Sequence, residues 1–389
     1  MISQNRKKWV ILMMFMTAHA INDGFGWIIP PLLPAIREHF QLSYSEMGAF
    51  YTFFRFFGNI AQAPAAYLVH FVPISTILVS GLLWLSVGMF VSSLSSTYGM
   101  MVLFSAVGGI GAATYHPLAV TTLSRVFGRD SLGRAIALHL SASTMGQVIA
   151  PLLVGLLLIH YEWRLPVQIW SALGILVGVS LFLFLRHQKD DFQLKNKALS
   201  LPFFSRPLGF YILAESLWGV AQMSLMTFLP LFLVDYRGFN QGKAAAVFGI
   251  MALSGTLFRP FIGALMDWMG RRKPVIIGGS IIAGLSILGL AKAETEWLIY
   301  LFVILLGTFG SGHAGLADTF MIEMIPSQRR EETLGFVYSM RMGIASLSPF
   351  IVGVISERIG LIHGFTILAL ISGFSVILFS LAEEKPVDS

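Results

Sequence analysis

The sequence predicts an all-α integral membrane protein, with twelve transmembrane helices in two pseudo-symmetric six-helix bundles. Three observations carry this. Hydrophobic residues make up 56% of the 389 residues and charged residues only 12%, about half the roughly 25% usual in soluble domains. Apolar runs of bilayer-crossing length recur along the whole chain. The second half repeats landmarks of the first at a near-constant offset. A surface of this composition is solvated by lipid, so the net charge of +6 marks cytoplasmic loops and not a nucleic-acid partner. There is no cysteine, which excludes disulfides, thiol catalysis and thiolate metal sites.

The first apolar run follows Arg6-Lys7-Lys8. It is about 24 residues long and lacks a small-residue cleavage pattern, so it reads as a retained span and not a signal peptide. Runs long enough to cross a bilayer as helices lie at 9–33, 44–70, 73–92, 98–126, 132–159 and 164–186. A second set lies at 208–236, 240–269, 274–291, 296–324, 331–357 and 362–382. An even number of spans puts both termini on one side. Most of the 26 Lys and Arg fall on that side, which predicts a multi-pass protein of the cell (inner) membrane with both termini in the cytoplasm.

Between the sets, QKDDFQLKNKALSLPFFSRP is the one long polar interruption. It divides the chain into an N-terminal bundle at 1–187, a cytoplasmic linker at 188–207 and a C-terminal bundle at 208–389. A shift of about 197 residues superposes the halves: Ser141 falls on Ser339, Pro151 and Gly155 near Pro349 and Gly353, and Leu42-Ser43 on Phe239-Asn240. Two related bundles about a central pathway are the architecture by which many secondary transporters alternate access. Glycines within the spans, such as Gly108-Gly109-Ile110-Gly111, read chiefly as close helix-packing positions.

The sharpest motif follows the eighth span: Gly263-Ala-Leu-Met-Asp267-Trp-Met-Gly270-Arg271-Arg272-Lys273. This pattern resembles the loop signature of the major facilitator superfamily, and the resemblance extends over essentially the whole chain. It implies that Gly263, Asp267, Gly270, Arg271 and Arg272 form a cytoplasmic latch favouring one state. The first-half equivalent, Ala65 to Pro73, has neither the Asp nor the Arg pair, so the latch is expected to be one-sided. Gly146-Gln-Val-Ile-Ala150-Pro151 with Gly155 resembles the glycine/proline motif of drug–proton antiporters. Tyr115-His116-Pro117 together with His19-Ala-Ile-Asn22-Asp23 resembles the fosmidomycin-resistance exporters.

Ionisable groups inside spans are costly and need a partner or a wet cavity. Asp23 and Arg55 sit at similar depth on adjoining spans, which predicts an ion pair there. His19, Asn22 and Asp23 share a helical face, so Asp23 and His19 are proton-coupling candidates. In the second half, depth pairs Arg341 with Asp318, which with His313 is also a proton-coupling candidate, and Glu215 with Arg259 in a gating role. His116 and His313 lie near mid-membrane, where an imidazole can relay protons. His313 and Asp318, five residues apart, point in different directions and read as separate. Arg55 and Arg341, one per half, form a candidate clamp for an anion, and Tyr115, Trp218 and Gln222 candidate cavity contacts beside His116 and Asn22. His139 carries no assigned role.

The resemblance implies a proton-coupled secondary transporter, exporting a small anionic or amphiphilic compound by alternating access. Its partners are that substrate, protons and the bilayer. A monomer without cofactor is expected, with no nucleic acid. The alternative is a metal-ion or metal-chelate transporter of the same fold, since His19, Asn22, Asp23, His116 and His313 are possible ligands. An enzyme is not expected: no H-E-x-x-H, G-x-S-x-G or phosphate-binding loop is present.

Overall fold

The structure is a computed structural model and describes residues 4–69, 71–186, 202–326 and 329–382. Most of the polar linker, residues 188–201, and His70 in the first-half counterpart of the loop motif lie outside the described residues. Among the described residues every regular element is helical.

The first six predicted spans correspond to α1 (Gln4–Phe40), α2 (Tyr44–Ile60) with the short α3 (Gln62–Leu68), α4 (Ile74–Ser93), α5 (Tyr98–Gly109) with α6 (Tyr115–Val126), α7 (Arg129–Leu157) and α8 (Arg164–Leu185). The second six correspond to α9 (Arg206–Arg237), α10 (Gln241–Met269), α11 (Lys273–Lys292), α12 (Glu296–Leu305) with α13 (Gly312–Met324), α14 (Arg330–Ile359) and α15 (Leu361–Ser380). Nine helices among the described residues are long and apolar enough to cross a membrane. Large apolar side chains such as Leu156, Leu176, Phe261, Trp268 and Leu370 point outward, as a lipid-solvated exterior requires.

Local signals set the helix ends. Thr97, Ser205 and Asn240 accept from backbone amides three residues on, at the starts of α5, α9 and α10. Gly238 and Gly270 close α9 and α10 at φ of 67° and 60°, a left-handed turn that suits glycine. Within the loop motif, then, Gly270 is a helix stop. Its neighbour Lys273 donates to the carbonyls of Ser380 and Ala382, both at 2.6 Å, placing a cation on the C-terminal end of α15.

The chain divides into two compact units, residues 1–40 with 53–197 and residues 41–52 with 198–389. The first half of α2 thus groups with the second unit, where the Gly48 backbone lies against the Pro349 carbonyl and Tyr44 donates to Asp235 at 2.6 Å. In the first unit α1 packs along α7, and α4 along α8 and α5. Glycines allow these approaches: a Cβ on Gly146 would overlap the Ala20 carbonyl, and one on Gly111 that of Gly81. In the second unit α9 packs on α14 and α15, and α11 on α15.

One irregularity recurs in both units. A 3₁₀ turn at Ile110–Thr114 separates α5 from α6, and a π segment at Leu306–Ser311 separates α12 from α13. Such breaks inside long helices free backbone groups and re-aim the side chains that follow. His116 and His313 are each the second residue after the break.

Candidate functional site

Each unit buries a carboxylate of its opening helix against the histidine that follows its helix break. In the first unit, Asp23 of α1 faces His116 of α6, with Oδ1 3.1 Å from His116 Nε2. Its Oδ2 accepts a short hydrogen bond from Ser143 of α7 and lies 3.6 Å from His19 Nε2. Asn22 donates to Oδ1 at 3.2 Å, and Gln147 donates to Ser143 at 3.1 Å. His19 is buried, its Nδ1 3.0 Å from the carbonyl oxygen of His139, whose ring stacks on it at 4.3 Å. Only the His116 end is open: that side chain is 49% exposed, against 12% for Asp23.

The expected Asp23–Arg55 pair does not form. His116 and Ser143 occupy the carboxylate, and Arg55 Nη1 lies against the Gly26 backbone, nearly one helical turn further along α1. Arg55 forms no ion pair with a carboxylate among the described residues, and its buried Nε lacks a hydrogen-bond partner. Tyr115 is no cavity contact either: it is buried, and its hydroxyl donates to the carbonyl of Phe15.

In the second unit, Glu215 of α9 is fully enclosed. Its Oε1 is 2.6 Å from His313 Nε2 and its Oε2 2.7 Å from Arg341 Nη2. Depth alone pairs Glu215 with Arg259, but both carboxylate oxygens go to α13 and α14. Arg341 Nη1 also reaches Asp318 at 3.0 Å and the Tyr211 hydroxyl at 3.1 Å, so the Arg341–Asp318 pair is present. The Arg341 guanidinium lies 5.6 Å from the Tyr338 ring centre, and Asp318 is the most open member at 28% exposure. His313 and Asp318 do not touch, yet Glu215 and Arg341 join them in one network, contrary to the reading that they are separate. Arg341 is 4% exposed and held by two carboxylates, which removes it from an anion clamp. Trp218 stacks on His313 at 4.4 Å, and Gln222 lies against Gly310 of the π segment with its Nε2 unpartnered. Neither reads as a cavity contact.

Hydrogen bonding admits two protonation states of His313, according to which way the Ser280 hydroxyl turns. Nε2 faces a carboxylate and must donate. Nδ1 is 3.1 Å from Ser280 Oγ, and when that hydroxyl donates to the Ile276 carbonyl at 2.8 Å, Nδ1 donates as well. In this arrangement His313 carries both ring protons. The cluster then balances, with Glu215 and Asp318 against Arg341 and His313. Loss of one proton is also accommodated, because the Ser280 hydroxyl can turn from Ile276 to Nδ1. Sequence reasoning missed Ser143, Ser280, Tyr211 and Tyr338. The tyrosines precede Glu215 and Arg341 by four and three residues, a helical spacing that was available as a signal.

The family model of the Major Facilitator Superfamily matches residues 15–349 and 252–389. The chain belongs to the Major Facilitator Superfamily. It is 25% identical over 358 residues to a probable nitrate transporter, NarT, of Staphylococcus epidermidis, covering 89% of this chain and 88% of that one. With the NarT of Staphylococcus haemolyticus it shares 24% over 370 residues, 92% of each chain. These relatives carry a nitrate-transporter name, not the drug-exporter or fosmidomycin-resistance name that the Gly146 and His116 motifs suggested. Among solved structures, a bacterial homologue of the human lysosomal transporter Spinster, inward-facing and occupied, superposes with a TM-score of 0.84 at 16% identity over 96% of each chain. The nucleoside transporter NupG gives 0.75 at 17% identity, over 96% of this chain and 97% of that one. The superfamily fold makes the chain a multi-pass membrane transporter of small molecules.

Proposed function

We propose that this protein is a proton-coupled transporter of a small inorganic oxyanion of the nitrate type, acting as a monomer in the cell membrane with both termini cytoplasmic. One observation carries the anion reading. Arg55 is an arginine within a span whose neighbouring carboxylate, Asp23, is held by other groups. An arginine at this depth needs a counter-charge, and a planar oxyanion matches its guanidinium bidentately. The names of the relatives point to the same chemistry. Proton coupling is assigned to the Glu215–His313–Arg341–Asp318 network, which accepts either protonation state of His313 without stranding a buried donor.

The antiporter reading of Gly146 and Pro151 lends no weight to export, since Gly146 is required for the contact of α7 with α1. Purified protein in liposomes tests the proposal. Nitrate flux should follow an imposed pH gradient, inward flux with inward protons meaning symport and outward flux meaning export. Arg55→Gln should remove at least nine-tenths of it, about the tenfold that 1.4 kcal/mol of lost binding represents. Absence of nitrate flux, or wild-type flux in Arg55→Gln, overturns the reading.

A further inference from the structure

We propose that His19, Asp23 and His116 form a binding site for a divalent transition-metal ion of the zinc class. The inference stands on geometry in the first unit and is independent of which cargo is carried. His19 Nδ1 faces the His139 carbonyl, which can only accept, so Nδ1 bears a proton and, in the neutral ring, Nε2 presents a lone pair. Nε2 is buried, has no hydrogen-bond partner, and lies 3.6 Å from the Asp23 carboxylate. Lone pair against carboxylate is repulsive unless a positive centre lies between them. At 3.6 Å the gap is too long for a shared proton.

The gap fits a metal. A tetrahedral ion about 2.0–2.1 Å from nitrogen and oxygen ligands sets those ligands roughly 3.3 Å apart. His116 Nε2 lies 3.1 Å from Oδ1 of Asp23 and His19 Nε2 3.6 Å from its Oδ2, and one ligand atom from each of the three residues lies within 4.8 Å of the others. The donor set, two imidazoles and one carboxylate, suits zinc, cobalt or nickel over magnesium or calcium. Outer contacts hold the ligands in place, as metal sites require: the His139 carbonyl on His19, and Ser143 and Asn22 on Asp23. The half-exposed His116 supplies the way in. Binding displaces the proton that His116 Nε2 otherwise donates to Asp23, and leaves a fourth position for water. The ion would tie α1 to α6 directly after the helix break.

The experiment uses full-length, tag-free protein in detergent, titrated with cobalt(II) and then zinc(II). One cobalt per chain should bind with the visible bands of tetrahedral coordination, and zinc should bleach them. His116→Gln and Asp23→Asn should each weaken binding by roughly tenfold or more, while His363→Gln, in α15 of the second unit, should not. Zinc should raise the melting temperature of the wild type but not of His116→Gln. The exposed side chain of His116 keeps that variant folded, which gel filtration checks. No stoichiometric cobalt binding, or binding that survives both ligand substitutions, overturns the proposal.

Discussion

Glu215→Gln is the substitution that most directly probes the second-unit network. The side chain keeps its shape but loses its charge, and one oxygen becomes an NH₂ donor. In the wild type both oxygens accept, from His313 Nε2 at 2.6 Å and Arg341 Nη2 at 2.7 Å. Arg341 can only donate, so the amide oxygen must turn to it. The NH₂ then faces His313 Nε2, which has to give up its proton and accept. Nδ1 keeps its proton toward Ser280, and the imidazole is locked neutral. Removing one partner from a buried ion pair costs about 3–5 kcal/mol. Because the amide still meets both neighbours, the lower end, about 3 kcal/mol, is expected as a loss of stability. Coupling should fail more completely than stability does. In liposomes, flux driven by a pH gradient should fall to background, while exchange of labelled for unlabelled anion at equal pH on both sides should stay within about threefold, under about 1 kcal/mol. Gradient-driven flux at the wild-type level in Glu215→Gln would refute the assignment of proton coupling to this network.

Other outcomes follow from the same geometry. Ser280→Ala removes the acceptor of His313 Nδ1 at 3.1 Å; the doubly protonated ring then leaves one buried donor unpaired at about 1–3 kcal/mol, and gradient-driven flux should fall roughly tenfold or more with exchange retained. Gly146→Val drives side-chain atoms into the Ala20 carbonyl, which an added Cβ already overlaps; forcing α7 from α1 should lower stability by at least about 1–3 kcal/mol, read as a lower detergent melting temperature. Lys273→Ala uncaps α15 by removing two 2.6 Å hydrogen bonds; at this partly exposed site the loss should be about 1 kcal/mol, seen as faster proteolysis at the C-terminal end.

Span positions were legible in the sequence because lipid imposes one rule on every residue of a run, and the motif at Gly263–Lys273 named the superfamily. Pairings within the bundle were legible only in part. Depth along a helix is countable at a fixed rise per residue, and it gave Arg341 with Asp318. Azimuth between helices is not countable, so depth also offered Asp23–Arg55 and Glu215–Arg259, where the side chains face other helices. The rotation of His116 and His313 was hidden for a further reason: it depends on a 3₁₀ turn and a π segment, backbone departures that hydrophobic periodicity does not encode.

Those two departures explain an asymmetry between the halves that the sequence alone suggests. Asp23 has no copy at its repeat position, which is Val220. His116 and His313, however, are 197 residues apart and each is the second residue after its helix break. Each meets a carboxylate from the opening helix of its own unit, Asp23 in one and Glu215 in the other. Glu215 lies five positions before the repeat equivalent of Asp23, so the acid has moved along the helix while the histidine stayed. What diverged is the surroundings. Arg341 and Asp318 enclose the second pair, which can exchange a proton without exposing charge. Among the described residues no arginine pairs with the first acid, and His116 stands half exposed, the setting for the anion proposed at Arg55 and the cation proposed at the His19–Asp23 gap. On the proposed reading, the repeated histidine–carboxylate contact is a closed proton store in one unit and an open ligand site in the other.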